Sequence, residues 1–138
     1  MQLNPYLFYD GQCEAAFKLY SQVLHGEITA MMRYGDAPGC EDMSTETRGR
    51  IIHACLKIGE LTLMASDACP PQHPYQRPQG ISVALAVDSV AEADRIFKAL
   101  VEQATVLQPL EKTFFAARFG MLVDRFSVPW MITCEKDV

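Results

Sequence analysis

The side chains best able to do chemistry in this sequence are few and well separated: His53 with Cys55 two positions on, Asp67, Phe115 and Arg118, and the single tryptophan, Trp130. His53 and Cys55 lie in a run from Arg50 to Ile58 in which Ile52, Ala54, Leu56 and Ile58 alternate with Ile51, His53, Cys55 and Lys57. Such alternation describes a strand, with the first set expected toward a core and the second toward a more polar space. An imidazole there could serve as a base, a proton donor or one metal ligand, or simply hydrogen-bond across the sheet. Asp67 closes the following apolar run, where it is either a carboxylate at the rim of a site or the cap of a turn.

Arg118 belongs to the densest stretch of the chain, Phe114 to Thr133. Two apolar, β-rich arms flank Val123-Asp124-Arg125-Phe126-Ser127, a pattern that predicts a hairpin with a broad loop. On its first arm Ala116, Arg118, Gly120 and Leu122 share one face, and Ala117, Phe119, Met121 and Val123 the other. A guanidinium among small residues leaves room for a polar or anionic ligand, or meets a structural carboxylate. Phe115, with Phe114 and Phe119, supplies apolar walls. Trp130 shares a face with Val128 and Ile132 and reads as a core or dimer anchor whose indole N–H needs a partner.

Composition removes several classes of function. The 138 residues are 49% hydrophobic, enough for one domain or two small halves, and the net charge of −5 offers no basic stripe for nucleic acid. No apolar run approaches the roughly 18 residues needed to span a bilayer, and the start lacks signal-peptide character, so neither a membrane nor secretion is expected and the cytoplasm is. The five cysteines show no CxxC spacing, which argues against a disulfide framework and a structural zinc. Without a base beside it in sequence, none is expected to act as a nucleophile.

The elements that must position these residues follow in order. Gln2 to Tyr9 reads as a strand, and Gly11 to Leu24 as an amphipathic helix with Gly26 just past its end. Glu27 to Tyr34 is a strand, Gly35 to Thr47 a loop, and Arg50 to Ile58 with Leu61 to Ser66 a hairpin. Asp67 to Gly80 holds four prolines and can only connect. A strand at Ile81 to Val87 precedes a helix opened by the capping box Ser89 and Glu92, then a short strand near Val106 and the closing hairpin. Asp10 matches Asp88 and Glu14 matches Glu92 at one common offset. The chain therefore reads as α+β, a duplicated βαβββ unit: module 1 about 1–68, connector about 69–80, module 2 about 81–138. Two curved sheets, each with a helix on one face, are expected around a cleft, and their open edges invite a homodimer.

That order resembles the vicinal oxygen chelate superfamily, with its glyoxalase/bleomycin-resistance fold. PYLFYDG, RYGDAP, HACLKIG, LMASD and ARFGMLVDRFSVPWMI resemble more narrowly its PhnB-like branch, often labelled 3-demethylubiquinone-9 3-methyltransferase-like. The resemblance implies that a divalent metal, where present, sits on His and Glu of the first and last strands of each module. The corresponding stretches here carry Asn4 and Tyr6, Met64 and Ser66, Ser82 and Ala84, and Met131 and Thr133. None is an ordinary His or carboxylate ligand, so no complete site of that type is expected, and the remaining metal candidate is His53, joined by Asp67 or the loop residue His73. No glycine-rich loop is placed to hold a methyl-donor nucleotide. The expected function is small-molecule binding in the inter-module cleft, with His53, Cys55, Asp67, Phe115, Arg118 and Trp130 as candidate contacts. The alternative is a divalent-metal-assisted lyase, dioxygenase or isomerase acting on a small oxygenated substrate, and a third is a dimeric scaffold.

Overall fold

A computed structural model describes residues 1–136 and divides into two compact units, Met1–Gln76 and the chain from Arg77 onward. In the first unit the order is β1 (Tyr6–Tyr9), α1 (Cys13–Leu24), β2 (Glu27–Arg33), a 3-10 turn (Tyr34–Asp36), the short helix α2 (Thr45–Gly49), β3 (Ile51–Ile58) and β4 (Leu61–Asp67). The strands form one sheet in the order β1-β4-β3-β2. β1 runs parallel to β4, and the other neighbours are antiparallel. The second unit repeats this plan with β5 (Val83–Ala86), α3 (Val90–Leu100), β6 (Thr105–Glu111), β7 (Arg118–Val123) and β8 (Pro129–Cys134), in sheet order β5-β8-β7-β6. Two βαβββ modules with open sheets are thus present. Among the described residues no helix is long and apolar enough to cross a membrane.

α1 forms because Ala16, Phe17, Tyr20, Val23 and Leu24 recur on one stripe, and all are buried. Tyr9 of β1 meets Phe17 edge-on with centroids 6.4 Å apart, so the odd-numbered residues of β1 face the helix. Burying each of these aromatic side chains stabilises the unit by about 1.5–3 kcal/mol. The helix stops at His25, which adopts the left-handed conformation at φ 54°. Gly26 lies just past that end, as expected, and a Cβ there would lie 2.9 Å from Leu56 Cδ1, so glycine also lets the chain pass close over β3. The segment after β2 is also more ordered than a plain loop, because Ser44 caps α2 by accepting the Thr47 amide at 3.2 Å.

β3 departs from simple alternation at its start. Ala54 and Leu56 are fully buried, as expected, but so is Ile51, while Ile52 is only half-buried. The register between β2 and β3 shifts between Met32 and Arg33, pairing Met32 with His53 and Arg33 with Ile51. The extra residue on β3 is a bulge, and it swings Ile51 into the core.

In the second unit Ser89 Oγ accepts the Glu92 amide at 3.1 Å, which opens α3, while the Glu92 carboxylate is forked by Arg95 at 3.0 and 2.7 Å. Trp130, Ile132 and Cys134 of β8 and Leu122 of β7 are buried. Gly120 is obligatory between them, since a Cβ would stand 2.8 Å from the Phe97 ring of α3 and 2.9 Å from Leu110 Cα. The closing hairpin turns on Asp124, whose carboxylate accepts the Phe126 and Val128 amides at 2.8 and 3.0 Å and the Trp130 indole N–H at 2.9 Å. The DRFSVPW stretch is therefore a self-contained fastening.

Candidate functional site

The sheet of the first unit has one face under α1 and one without a helix. The second is built by alternation from Tyr6 and Phe8 of β1, Met64 of β4, and His53 and Cys55 of β3. Register places them: Cys55 is opposite Met64 on one side and Ala30 on the other, Met64 is opposite Tyr6, and His53 is opposite Met32. Tyr6, Phe8 and Met32 are exposed. The imidazole is oriented from β1, with Tyr6 Oη 3.1 Å from His53 Nδ1 and the two rings stacked at 5.8 Å. Phe8 leans on Tyr6 at 5.2 Å. One polar, titratable handle stands on an apolar, aromatic and sulfur-rich platform, and its Nε2 is left for another partner.

The structure brings His53 and Cys55 onto this face and puts the other candidates elsewhere. Asp67 is 2% exposed and faces the helix side of the sheet. One of its oxygens accepts the Gly11 and Cys13 amides, both at 3.0 Å, and the other accepts the Ile51 amide at 2.8 Å. It therefore caps α1 from β4, the task that Gln12, which makes no side-chain cap, leaves undone. Burial, reinforced by the Asp67 charge, pushes the Cys13 thiol far above its ordinary value. Tyr34 donates to the Asp67 carbonyl at 3.0 Å, and burial first, then the neighbouring Cys69, pushes its phenol up to about 12.

In the second unit Arg118 lies on the helix-covered face with Gly120 and Leu122. Its Nε donates to Asp94 of α3 at 3.1 Å and Nη1 to the Ala117 carbonyl at 2.8 Å, so the structural carboxylate is the partner found. Trp130 is 1% exposed and held by Asp124. Phe115 is half exposed in the loop before β7, packed edge-on between Phe114 and Phe119 at 5.2 and 5.1 Å. Tyr6 and Met64 complete the platform around His53, whereas the sequence alone marks them only as non-ligating positions. The alternation of Tyr6 and Phe8 in PYLFYD was the available signal.

Residues 1–133 match the model of the 3-demethylubiquinone-9 3-methyltransferase family. The chain belongs to that family, the PhnB-like branch of the vicinal oxygen chelate superfamily. Protein YjdN of Escherichia coli is 31% identical to this PhnB-like chain, over 99% of it and 97% of YjdN. The crystal structure of protein PA1353 from Pseudomonas aeruginosa is 46% identical with a TM-score of 0.91, covering 99% of each chain. A PhnB protein from Bacillus cereus, at 24% identity and a TM-score of 0.78 over 97% of this chain and 99% of its own, shares the fold. So does a glyoxylase/bleomycin resistance protein/dioxygenase domain from Frankia, at 12% identity and a TM-score of 0.65, over 99% of this chain and 98% of its own.

Neither cofactor suggested by those names suits the residues of the PhnB-like chain. At the strand positions where the resemblance implies a divalent ion, Tyr6 is opposite Met64 and Phe8 opposite Ser66 in the first sheet, and Ala84 is opposite Met131 and Ala86 opposite Thr133 in the second. Phenol, thioether, methyl and lone hydroxyl groups, with no carboxylate or imidazole among them, are not an ordinary ligand set for a hard divalent cation. Among the described residues no three His, Cys, Asp or Glu side chains come together. The strand-to-helix turns are equally unsuited to a methyl-donor nucleotide, because the α1 amides already face Asp67 and the first turn of α3 faces Ser89.

Proposed function

We propose that this protein binds a small, partly aromatic organic molecule on the helix-free face of its first sheet. The observation that carries the reading is the Tyr6–His53 pair, 3.1 Å apart, standing on a largely apolar platform. A phenol that engages Nδ1 fixes the ring, and the tautomer it selects makes Nε2 either a donor or an acceptor for a ligand heteroatom. Phe8, Met32 and Met64 supply adaptable apolar contact, the combination of many apolar groups and few polar ones that small-molecule sites use. The second sheet offers no comparable imidazole, since all three histidines, His25, His53 and His73, belong to the first unit. The expected homodimer belongs to the same reading and is tested by light scattering with and without ligand.

A panel of aromatic acids, phenols and heterocycles screened by thermal shift tests the idea. A ligand at 100 times its dissociation constant stabilises by about 2.7 kcal/mol, a readily measured rise in Tm. His53→Ala and Phe8→Ala should abolish or sharply reduce that rise. A panel without any stabilising compound, or a shift that both variants retain in full, would overturn the proposal.

A further inference from the structure

The donors on this same face are wrong for a hard cation, and the way they are wrong is informative. They are soft: a thiol at Cys55, thioethers at Met64 and Met32, and the imidazole of His53. Cys55 and Met64 are directly opposite across β3 and β4, Met32 and His53 directly opposite across β2 and β3, and His53 and Cys55 are two apart on one face of one strand. Four potential soft or borderline ligands therefore gather on a patch of three adjacent strands. Among the five cysteines only Cys55 is not buried, so the one accessible thiol is the one that stands beside this imidazole and these thioethers.

From this arrangement we infer that the first sheet carries a soft-metal site that takes a monovalent copper ion through Cys55 Sγ, His53 Nε2 and Met64 Sδ, with Met32 as a fourth donor. Thiolate and thioether ligands select Cu(I), whereas magnesium, calcium and manganese are held chiefly by carboxylate oxygens, which this patch lacks. Zinc is disfavoured because thioethers are not among its usual ligands and no second thiolate or carboxylate is at hand. The Tyr6 contact has the form that metal-bound histidines require. With Nδ1–H donated to Tyr6 Oη, the ring is held in the tautomer whose Nε2 lone pair is available to the ion. On binding, the Cys55 thiol gives its proton to solvent and the S–Cu bond forms, with no change of oxidation state. Ion and organic ligand would compete for the face.

The test titrates the purified chain with Cu(I), kept reduced and anaerobic, in competition with a chromophoric Cu(I) chelator. One ion per chain is expected, with sulfur and nitrogen scatterers in the X-ray absorption spectrum. Cys55→Ser and Met64→Leu should each weaken binding by roughly tenfold or more, and Tyr6→Phe, which loses only the outer contact to His53, by about tenfold. Met64→Leu conserves volume, and unchanged Tm values for all three variants would separate lost ligation from lost folding. Undiminished copper binding in both Cys55→Ser and Met64→Leu would overturn the site, as would Zn(II) displacing copper at equal concentration or the absence of stoichiometric binding by the wild type. The thermal-shift panel on metal-free protein reads the organic ligand separately, so the failure of either reading leaves the other standing.

Discussion

The carboxylate of Asp67, at the end of β4, lies 3.0 Å from the amide of Cys13, the first residue of α1. That contact joins the last strand of the first module to its only long helix, and the same carboxylate also holds Gly11 and Ile51. Asp67→Ala would leave three amides without their acceptor and should lower stability by roughly 3 kcal/mol or more, since hydrogen bonds to a charged group contribute about 1.5–3 kcal/mol each and their losses overlap. Urea unfolding followed by circular dichroism measures it. A loss below about 1 kcal/mol would show that water replaces the carboxylate.

The second module anchors its hairpin differently, through Asp124 and Trp130. Because Trp130 is the single tryptophan, its emission reports this fastening alone. Asp124→Ala should destabilise by about 2–4 kcal/mol by orphaning a buried indole N–H and two turn amides. The folded variant should also show shifted tryptophan emission. Trp130→Phe in that background should cost less than in the wild type, because the indole N–H no longer needs a partner.

These two carboxylates mark how far the sequence could be read. Element order, the duplication and the capping Ser89 follow from local pattern: periodicity, turn residues and a repeated offset act over a few positions. Asp67 is different, because its partners lie at Gly11, Cys13 and Ile51, and nothing within its own strand distinguishes a cap for a distant helix from a group at a rim. Alternation alone puts Arg118 on the face of Gly120 and Leu122, yet which face carries the helix depends on tertiary packing, and Asp94 of α3 is the partner of its charge. The bulge that buries Ile51 was equally invisible, since a one-residue register shift leaves no mark in an alternating run. His53 and Cys55 were legible because that part of β3 keeps its alternation, whereas Tyr6 gained meaning only when β1 was placed beside β4.

Tyr34 supplies an alkaline limit. Its phenol has an ordinary value of 10.0 and is raised to about 12 in the folded protein by burial and by Cys69. The folded state thus holds this proton more tightly than the unfolded chain, so the contribution is complete below pH 10 and is lost as pH rises toward 12. The buried Cys13 thiol, shifted in the same direction, adds to that loss. Stability measured by urea should fall across this range, and Tyr34→Phe should flatten the limb while costing the hydrogen bond to the Asp67 carbonyl. An ultraviolet titration should show one fewer tyrosine with a raised ionisation in the variant than in the wild type.

Thiol accessibility gives a final check on which face of the first sheet is open to reagents. Cys13 and Cys134 are fully buried, Cys40 and Cys69 nearly so, and Cys55 is half-buried on the helix-free face. Reaction requires both a thiolate and access, so a disulfide reagent added to native protein should label one cysteine rapidly and the other four only as the fold opens. Cys55→Ser should abolish the fast phase without slowing or speeding the rest. Labelling of Cys55 should also be slowed by any molecule that settles against His53 and Tyr6, which makes the rate a direct readout of occupancy. A fast phase that survives in Cys55→Ser would place the reactive thiol elsewhere, and an unlabelled native protein would mean that this face is covered in solution.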